Sequence, residues 1–278
     1  MIRYLSEVEG LTPWTWWPHE EVGHTDEAKK EIHAIFGKEQ PFDTPKPVRL
    51  MKRVLEIGTK RDQGDLVLDF FAGSATLAEA ITELNDMDGG NRRFLLVQLP
   101  EPIESEGFST IAEIAKERIR RALKKFAASA ASKLDLGDGR AGEDLGFKVF
   151  KLAAPNIEQW KPDVELDPEE YSRELALFND PLVHGWKSEN VIWEVALREG
   201  FSLNTRFTAR DLANGNQVCD VLDPDTGQKF IICLDDQIRA DFSKNCDLTQ
   251  DTLLICRDIA LDDSAAANLA LQCRLKTI

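Results

Sequence analysis

Leu66-Val67-Leu68-Asp69-Phe70-Phe71 is a short apolar run without alternation, closed by Gly64 before it and Gly73 after it. A strand with one wet face would alternate, so this run predicts a parallel strand buried on both faces. A helix is expected to follow from about Ser74 to Leu84, carrying Leu77, Ala78, Ala80, Ile81 and Leu84. The loop Asn85-Asp86-Met87-Asp88-Gly89-Gly90-Asn91 then returns the chain to a second buried strand, Phe94 to Leu99. Residues 66 to 99 therefore read as one strand-helix-strand unit of an α/β fold, with a right-handed crossover.

Around this unit the pattern predicts further elements. Thr25 is read as the N-cap of a helix reaching Phe36, and Val48 to Ile57 as a helix with one buried face, stopped by Gly58. A longer helix is expected from Ser109 to Ala128, a mobile loop from Ser129 to Gly146, and a third strand from Phe147 to Leu152. Beyond Lys161 come an acidic segment, Asp163 to Glu170, a helix near Val191 to Glu199, and strands Gln217 to Leu222 and Lys229 to Leu234. The turn Asp223-Pro224-Asp225-Thr226-Gly227 between those two strands is a hairpin signal. No internal repeat is present, and the last part reads as a second, smaller α/β domain.

Asp69-Phe70-Phe71-Ala72-Gly73-Ser74-Ala75-Thr76 is the candidate site. It sets an acidic side chain, small residues and hydroxyls at the C-terminal end of a parallel strand, the edge at which open α/β sheets bind ligands. Gly73 lets the chain turn and lets a ligand approach the backbone. Asp69 is placed to pair with a ligand ammonium group, and Ser74 and Thr76 offer hydroxyls at a helix N-terminus. The same segment is also compatible with a plain strand-to-helix turn in which Ser74 caps its helix. A nicotinamide-dependent oxidoreductase fits worse, because Gly73 is the only glycine between Gly64 and Gly89 and the Gly-x-Gly-x-x-Gly spacing is missing. No Gly-Lys-Ser/Thr supports a phosphate loop.

The segment Asp69 to Thr76 resembles the S-adenosylmethionine motif of the amino-methyltransferases in which cofactor binding follows catalysis in sequence. Thr44-Pro45-Lys46-Pro47 looks like that family's preceding Thr-x-Lys-Pro element. The likeness is closest to the modification subunit of type III restriction-modification systems, an adenine-specific DNA N6-methyltransferase of the beta group. It continues through Leu84-Asn85, Asp88 to Phe94, Val97 to Glu101, Phe147 to Leu152, Asn156, Trp160, Ile231 to Leu234 and Leu253 to Cys256.

The resemblance implies a partial Rossmann-like methyltransferase sheet over residues 1–155 and an assembly domain over 156–278. It implies that Asp69, Phe71, Gly73, Ser74 and Thr76 line a pocket for S-adenosyl-L-methionine, and that Thr44, Lys46 and Pro47 close it near the methionine end. Gln98 stands where the wider family often has an acidic residue for the ribose hydroxyls. Ala75 replaces a second glycine, and its methyl is accommodated where φ is negative. The implied partners are DNA, a second copy of the chain in a homodimer, and a helicase-nuclease restriction subunit.

One part of the family pattern is absent. Such enzymes hold the target amine with an Asp/Asn-Pro-Pro-Tyr/Phe segment, and no Pro-Pro pair occurs among the 12 prolines here. In relatives that motif and the target-recognition region lie upstream, so this sequence is expected to offer the cofactor half alone, with no catalytic residue and no methyl transfer by itself. The alternative is an interaction module, a split or decayed subunit that keeps protein contacts. A formal charge of −15 also means that these residues supply little of the grip on a phosphate backbone.

Other residues carry less. Trp14, Trp16 and Trp17, in the cluster opened by Thr12 and Pro13, are read as covering a domain edge, with stacking on an extruded base as the sharper alternative. Arg118, Arg120, Arg121, Lys124 and Lys125 form a basic helix face, solvated or facing phosphates. His19, His24, His33 and His184 are too scattered to hold a metal, and the five cysteines, all in the last quarter, read as reduced core thiols. Neither a membrane span nor a secretory leader is evident, which predicts a cytoplasmic protein.

Overall fold

The computed structural model describes residues 13–37, 42–105, 107–132, 146–158, 167 and 180–278. The chain divides into two units, Met1–Val149 and Phe150–Ile278. Thr12, Trp160, residues 133–145 of the expected mobile loop, and all of the acidic segment except Asp167 lie outside the described residues.

In the first unit, helices α1 (His19–Val22), α2 (Thr25–Phe36) and α3 (Val48–Gly58) precede strand β1 (Leu66–Asp69). Helix α4 (Thr76–Asp88) joins β1 to β2 (Arg93–Leu96), and the hairpin β3 (Pro102–Ser105) and β4 (Phe108–Thr110) leads into α5 (Ile111–Ser132). The expected strand-helix-strand unit is present: β1 and β2 are parallel, with Leu66 opposite Arg93 and Asp69 opposite Leu96. Pairing runs on past the ladder, since Val97 N–H donates to the Asp69 carbonyl at 2.8 Å and Ala72 N–H to the Val97 carbonyl at 3.1 Å.

Several ends differ from the sequence reading. His24, not Thr25, caps α2: its Nδ1 accepts from the Asp26 and Glu27 N–H groups, so Thr25 is already helical. Gly58 is the last residue of α3 and Thr59 ends it, with both its N–H and its hydroxyl donating to the Leu55 carbonyl. Of the expected buried face of α3, Val48 and Leu55 are buried, while Val54 and Ile57 are exposed. The tight return after α4 needs Gly90, because a Cβ there would overlap the side chains of Arg92, Asp88 and Asn85. Buried Arg92 donates to Asp88, Asn85 and the Thr59 hydroxyl, tying this loop to the end of α3.

The expectation of a strand buried on both faces is corrected. Val67, Phe94 and Leu96 turn toward α3, α4 and α5, where they meet Leu55, Leu77, Ile81, Ala115 and Ile119. The opposite face carries Leu66 at 57% exposure, Leu68 at 55%, Phe70 at 62%, Val97 at 47% and Leu99 at 64%. The side-chain period of two sends alternate residues to opposite faces, and the helices touching these strands occupy only one of them. Phe147 to Leu152 forms no strand; Val149, Phe150 and Leu152 are exposed and have no neighbouring strand to pair with among the described residues.

The second unit contrasts with this. Helix α6 (Ser188–Arg198) precedes a five-stranded sheet made of β5 (Arg206–Asp211), β6 (Gln217–Leu222), β7 (Lys229–Cys233), β8 (Leu253–Cys256) and β9 (Arg274–Thr277), in that spatial order. Strands β5 to β7 are antiparallel neighbours, whereas β7, β8 and β9 run parallel. The hairpin expected at Asp223 to Gly227 forms. Its corner rests on Asp223, whose carboxylate accepts from the Ser202 N–H and hydroxyl and from Asp225 N–H. Burial acts to raise this carboxyl, but those hydrogen bonds outweigh it and bring it down to about 2.

Successive residues of β7 and β8 enter opposite cores. Ile232 and Ile255 join Val191, Val195 and Phe230, while Cys233, Leu254 and Cys256 join Phe242 of α7 (Phe242–Asn245) and Leu269 of α8 (Asp263–Ala270). All five cysteines are free and buried, and burial pushes Cys233 and Cys256 up to about 12. A thiol reagent at pH 8 should therefore leave the native protein almost unlabelled and modify five thiols once guanidinium unfolds it; rapid labelling of the native chain would show that this core is open.

Candidate functional site

The Asp69–Thr76 turn sits where β1 ends and lies beside the continuation of β2. Asp69 Oδ1 accepts from Phe71 N–H at 3.1 Å, an Asx-type bond that starts the turn. Gln98, reaching across from the neighbouring strand, accepts the Gly73 N–H on Oε1 at 2.8 Å and donates from Nε2 to the Leu99 carbonyl at 3.3 Å. Gly73 has φ of +52°, which glycine adopts readily, and a Cβ there would also come within 3.3 Å of the Phe42 ring. The Phe71 ring is 80% exposed, with its centre 4.9 Å from that of Phe70.

Ala75 is left-handed as well, at φ 62° and ψ 36°, and it is fully buried. The condition of a negative φ is not met, because the turn brings Ala75 N–H back to the Ala72 carbonyl at 2.8 Å before α4 begins. For a residue with a Cβ that conformation costs roughly 1–2 kcal/mol.

Ser74 and Thr76 are buried, and their hydroxyls face inward. Arg118 Nη1 donates to Ser74 Oγ at 2.8 Å and to Thr76 Oγ1 at 2.6 Å, while its Nε donates to Glu79 Oε2 at 2.9 Å. Arg118 has no exposed surface, which corrects its place on a basic solvated face; Arg120, Lys124 and Lys125 remain exposed. Ser74 is not the N-cap of α4, a position that Ala75 holds.

Of the Thr44–Pro47 element, Pro45 and Pro47 are buried and Thr44 and Lys46 are exposed. Among the described residues no hydrogen bond ties Thr44 or Lys46 to the turn. The connection runs through neighbours: Phe42 lies against Gly73, and Glu31 on α2 accepts Val48 N–H at 3.1 Å, just after Pro47. Burial raises the Glu31 carboxyl above the ordinary carboxylate range, against the pull of Val48 N–H and the Arg118 charge. Phe42, Glu31, Glu79 and Arg118 were not singled out for this site by sequence reading, because burial and partner choice at long sequence separation leave no local motif. Trp14 and Trp16 are 79% and 77% exposed, so among the described residues they cover no domain edge; Trp17 Nε1 donates to the Trp14 carbonyl at 2.7 Å.

Among the described residues no group of three His, Cys, Asp or Glu is arranged to hold a metal ion, and no helix is long and apolar enough to cross a membrane.

An acidic residue and a glycine turn thus stand at the end of a parallel strand, followed by a helix, at the edge where open α/β sheets bind ligands, and comparison with known proteins says what this stretch is similar to. Residues 4–123 match the family model described as DNA methylase. More particularly, the chain is similar over part of its length to type III modification subunits. It is 36% identical over 160 residues to the Mod subunit of the type III restriction-modification enzyme StyLTI of Salmonella typhimurium, a match that covers 55% of this chain and 22% of the relative. It is 35% identical over 180 residues to the EcoPI Mod subunit of Escherichia phage P1, covering 62% of this chain and 27% of the relative. It is also 34% identical over 130 residues to the type II methyltransferase M.KpnI of Klebsiella pneumoniae, covering 45% and 30%. The matched stretch thus spans less than a third of each of these proteins.

The contacts at the turn make its stability testable. Gln98→Ala removes the acceptor for Gly73 N–H and should cost about 1 kcal/mol. Gly73→Ala places a methyl in a left-handed backbone against Phe42 and should cost about 1–2 kcal/mol. Urea denaturation measures both, and a Gly73→Ala protein as stable as the parent would mean that the turn is not built this way.

Proposed function

We propose that this chain is the S-adenosyl-L-methionine-binding part of a site-specific DNA adenine-N6 methyltransferase of a type III restriction-modification system. The observation that carries the reading is the Asp69–Thr76 turn at the C-terminal edge of a parallel strand pair, inside the stretch that matches the DNA methylase model. When bound, the cofactor supplies an activated methyl group on its sulfonium.

The residues of this chain bind and orient it. Asp69 keeps Oδ2 free of any hydrogen bond among the described residues and meets the ammonium group, while the exposed Phe71 ring offers an apolar face. Gly73 leaves its backbone open to close approach, and Gln98 stands at the ribose side, where its amide is able to exchange the Leu99 carbonyl for a hydroxyl. Ser74 and Thr76 belong to the pocket through the shape of the turn, since their hydroxyls are committed to Arg118. Thr44, Lys46 and Pro47 close the methionine end beside Phe42.

In this reading residues 1–155 form part of a Rossmann-like sheet and residues 156–278 an assembly domain. The bare apolar face of β1 and β2 supports a larger sheet, because parallel strands in α/β proteins are covered on both sides. Catalytic residues lie outside this sequence, which has no Asp/Asn-Pro-Pro-Tyr/Phe segment, and the chain alone transfers no methyl group. DNA is held largely by parts other than these strongly acidic residues, and the complete protein works in the cytoplasm as a homodimer with a restriction subunit. The names of the StyLTI and EcoPI relatives support that setting.

A second reading, an interaction module without cofactor, is favoured by the same apolar face. Titration calorimetry with S-adenosyl-L-methionine separates the two. The first reading expects one site per chain and at least tenfold weaker binding in Asp69→Ala. No binding by the parent chain, together with self-association in sedimentation, would leave the interaction module.

A further inference from the structure

We propose that Arg118 is a positioning residue that holds the Gly73–Thr76 turn in its binding shape from inside the protein. The inference rests on the cofactor-binding reading of that turn and adds the residue that keeps it formed.

The turn contains two left-handed residues, Gly73 and Ala75. Gly73 adopts this conformation freely, but Ala75 does not, and a strained backbone persists only where its surroundings over-determine it. Arg118 supplies that constraint. One nitrogen, Nη1, bonds the hydroxyls of Ser74 and Thr76, the residues on either side of Ala75. The guanidinium is in turn fixed by Glu79, three residues further along the helix that the turn starts: Nε donates to Oε2, and Nη2 lies 2.9 Å from the same oxygen without hydrogen-bond alignment. The arginine comes from α5, so a helix 42 residues away in sequence clamps the turn and the first turn of α4 together.

A buried ion pair is a poor device for stability alone, since well-packed apolar side chains of similar volume often serve as well or better. Its planar fork, however, bonds several acceptors in a set geometry. The geometry therefore suits holding one backbone shape more than adding to the core.

The test removes both charges together, so that neither is left buried and unpaired, in Arg118→Met with Glu79→Leu. Arg118→Lys is the second variant, keeping the charge but not the fork. Amide hydrogen exchange at Gly73 and Ala75 and calorimetric binding of S-adenosyl-L-methionine are then measured on the full chain. The expected result is at least tenfold faster exchange at both amides and at least tenfold weaker binding in each variant. Adding Ala75→Gly should recover at least threefold of each loss, because glycine takes the left-handed conformation unaided. A role in packing alone would not be rescued in this way. Unchanged exchange at Gly73 and Ala75 in the folded variants, or no recovery with Ala75→Gly, overturns the inference. If the parent chain binds no cofactor, the cofactor-binding reading falls, and the exchange measurements still decide whether Arg118 holds the turn.

Discussion

The parallel pairing of β1 with β2 is the constraint from which the rest of the first unit follows. It brings Asp69 and Gln98, far apart in sequence, to one edge, where Gln98 accepts the Gly73 N–H. It also sets which residues face the helices: once Val67, Phe94 and Leu96 turn toward α3, α4 and α5, Leu66, Leu68, Phe70, Val97 and Leu99 must face the other way. The Gln98-supported turn and a bare apolar face are thus two consequences of one register. The turn leaving β1 is then held from below by Arg118 and from the side by Gln98, so its left-handed Ala75 backbone has side-chain support from two other elements.

The two units handle the same problem differently. In the second, β7 and β8 send alternate residues into two cores, with α6 on one side and α7 and α8 on the other, and every cysteine ends in one of those cores. Its sheet has a core on each face among the described residues. The first unit's parallel pair is not finished among the described residues, and its exposed apolar side is larger than isolated surface leucines would require. The match spans 22% of the StyLTI relative and 27% of the EcoPI relative.

Much of the strand-helix-strand unit was legible from sequence, because apolar runs and glycines report directly on strands and turns: the strand at Leu66 to Asp69 and the Gly89-Gly90 return stand where the pattern put them, while the helix between them starts at Thr76 and runs on to Asp88, through the first four residues of the expected loop. The hairpin at Asp223 to Gly227 was equally plain. Burial of the β1 and β2 faces was not legible, since a run such as Leu-Val-Leu records what a strand is suited to touch and not whether a neighbour is there. Nor was Phe147 to Leu152, whose apolar composition cannot supply a pairing strand. At the site, Asp69, Gly73 and Gln98 were recognisable by position. The inward commitment of Ser74 and Thr76 was not, because it depends on Arg118, a residue whose helix neighbours made it look like solvated charge. Ala75 shows the same limit: its left-handed backbone follows from a hydrogen bond to Ala72 that no composition encodes.

The central claim is that the end of β1 holds the adenosyl cofactor. The most direct measurement is a titration of the isotope-labelled full chain with S-adenosylhomocysteine, followed through its backbone amide resonances. The account predicts saturable shifts at Asp69 to Thr76 and at Gln98, with the resonances of β5 to β9 unmoved. Shifts confined to the second unit, or no shifts at saturating ligand, would contradict it.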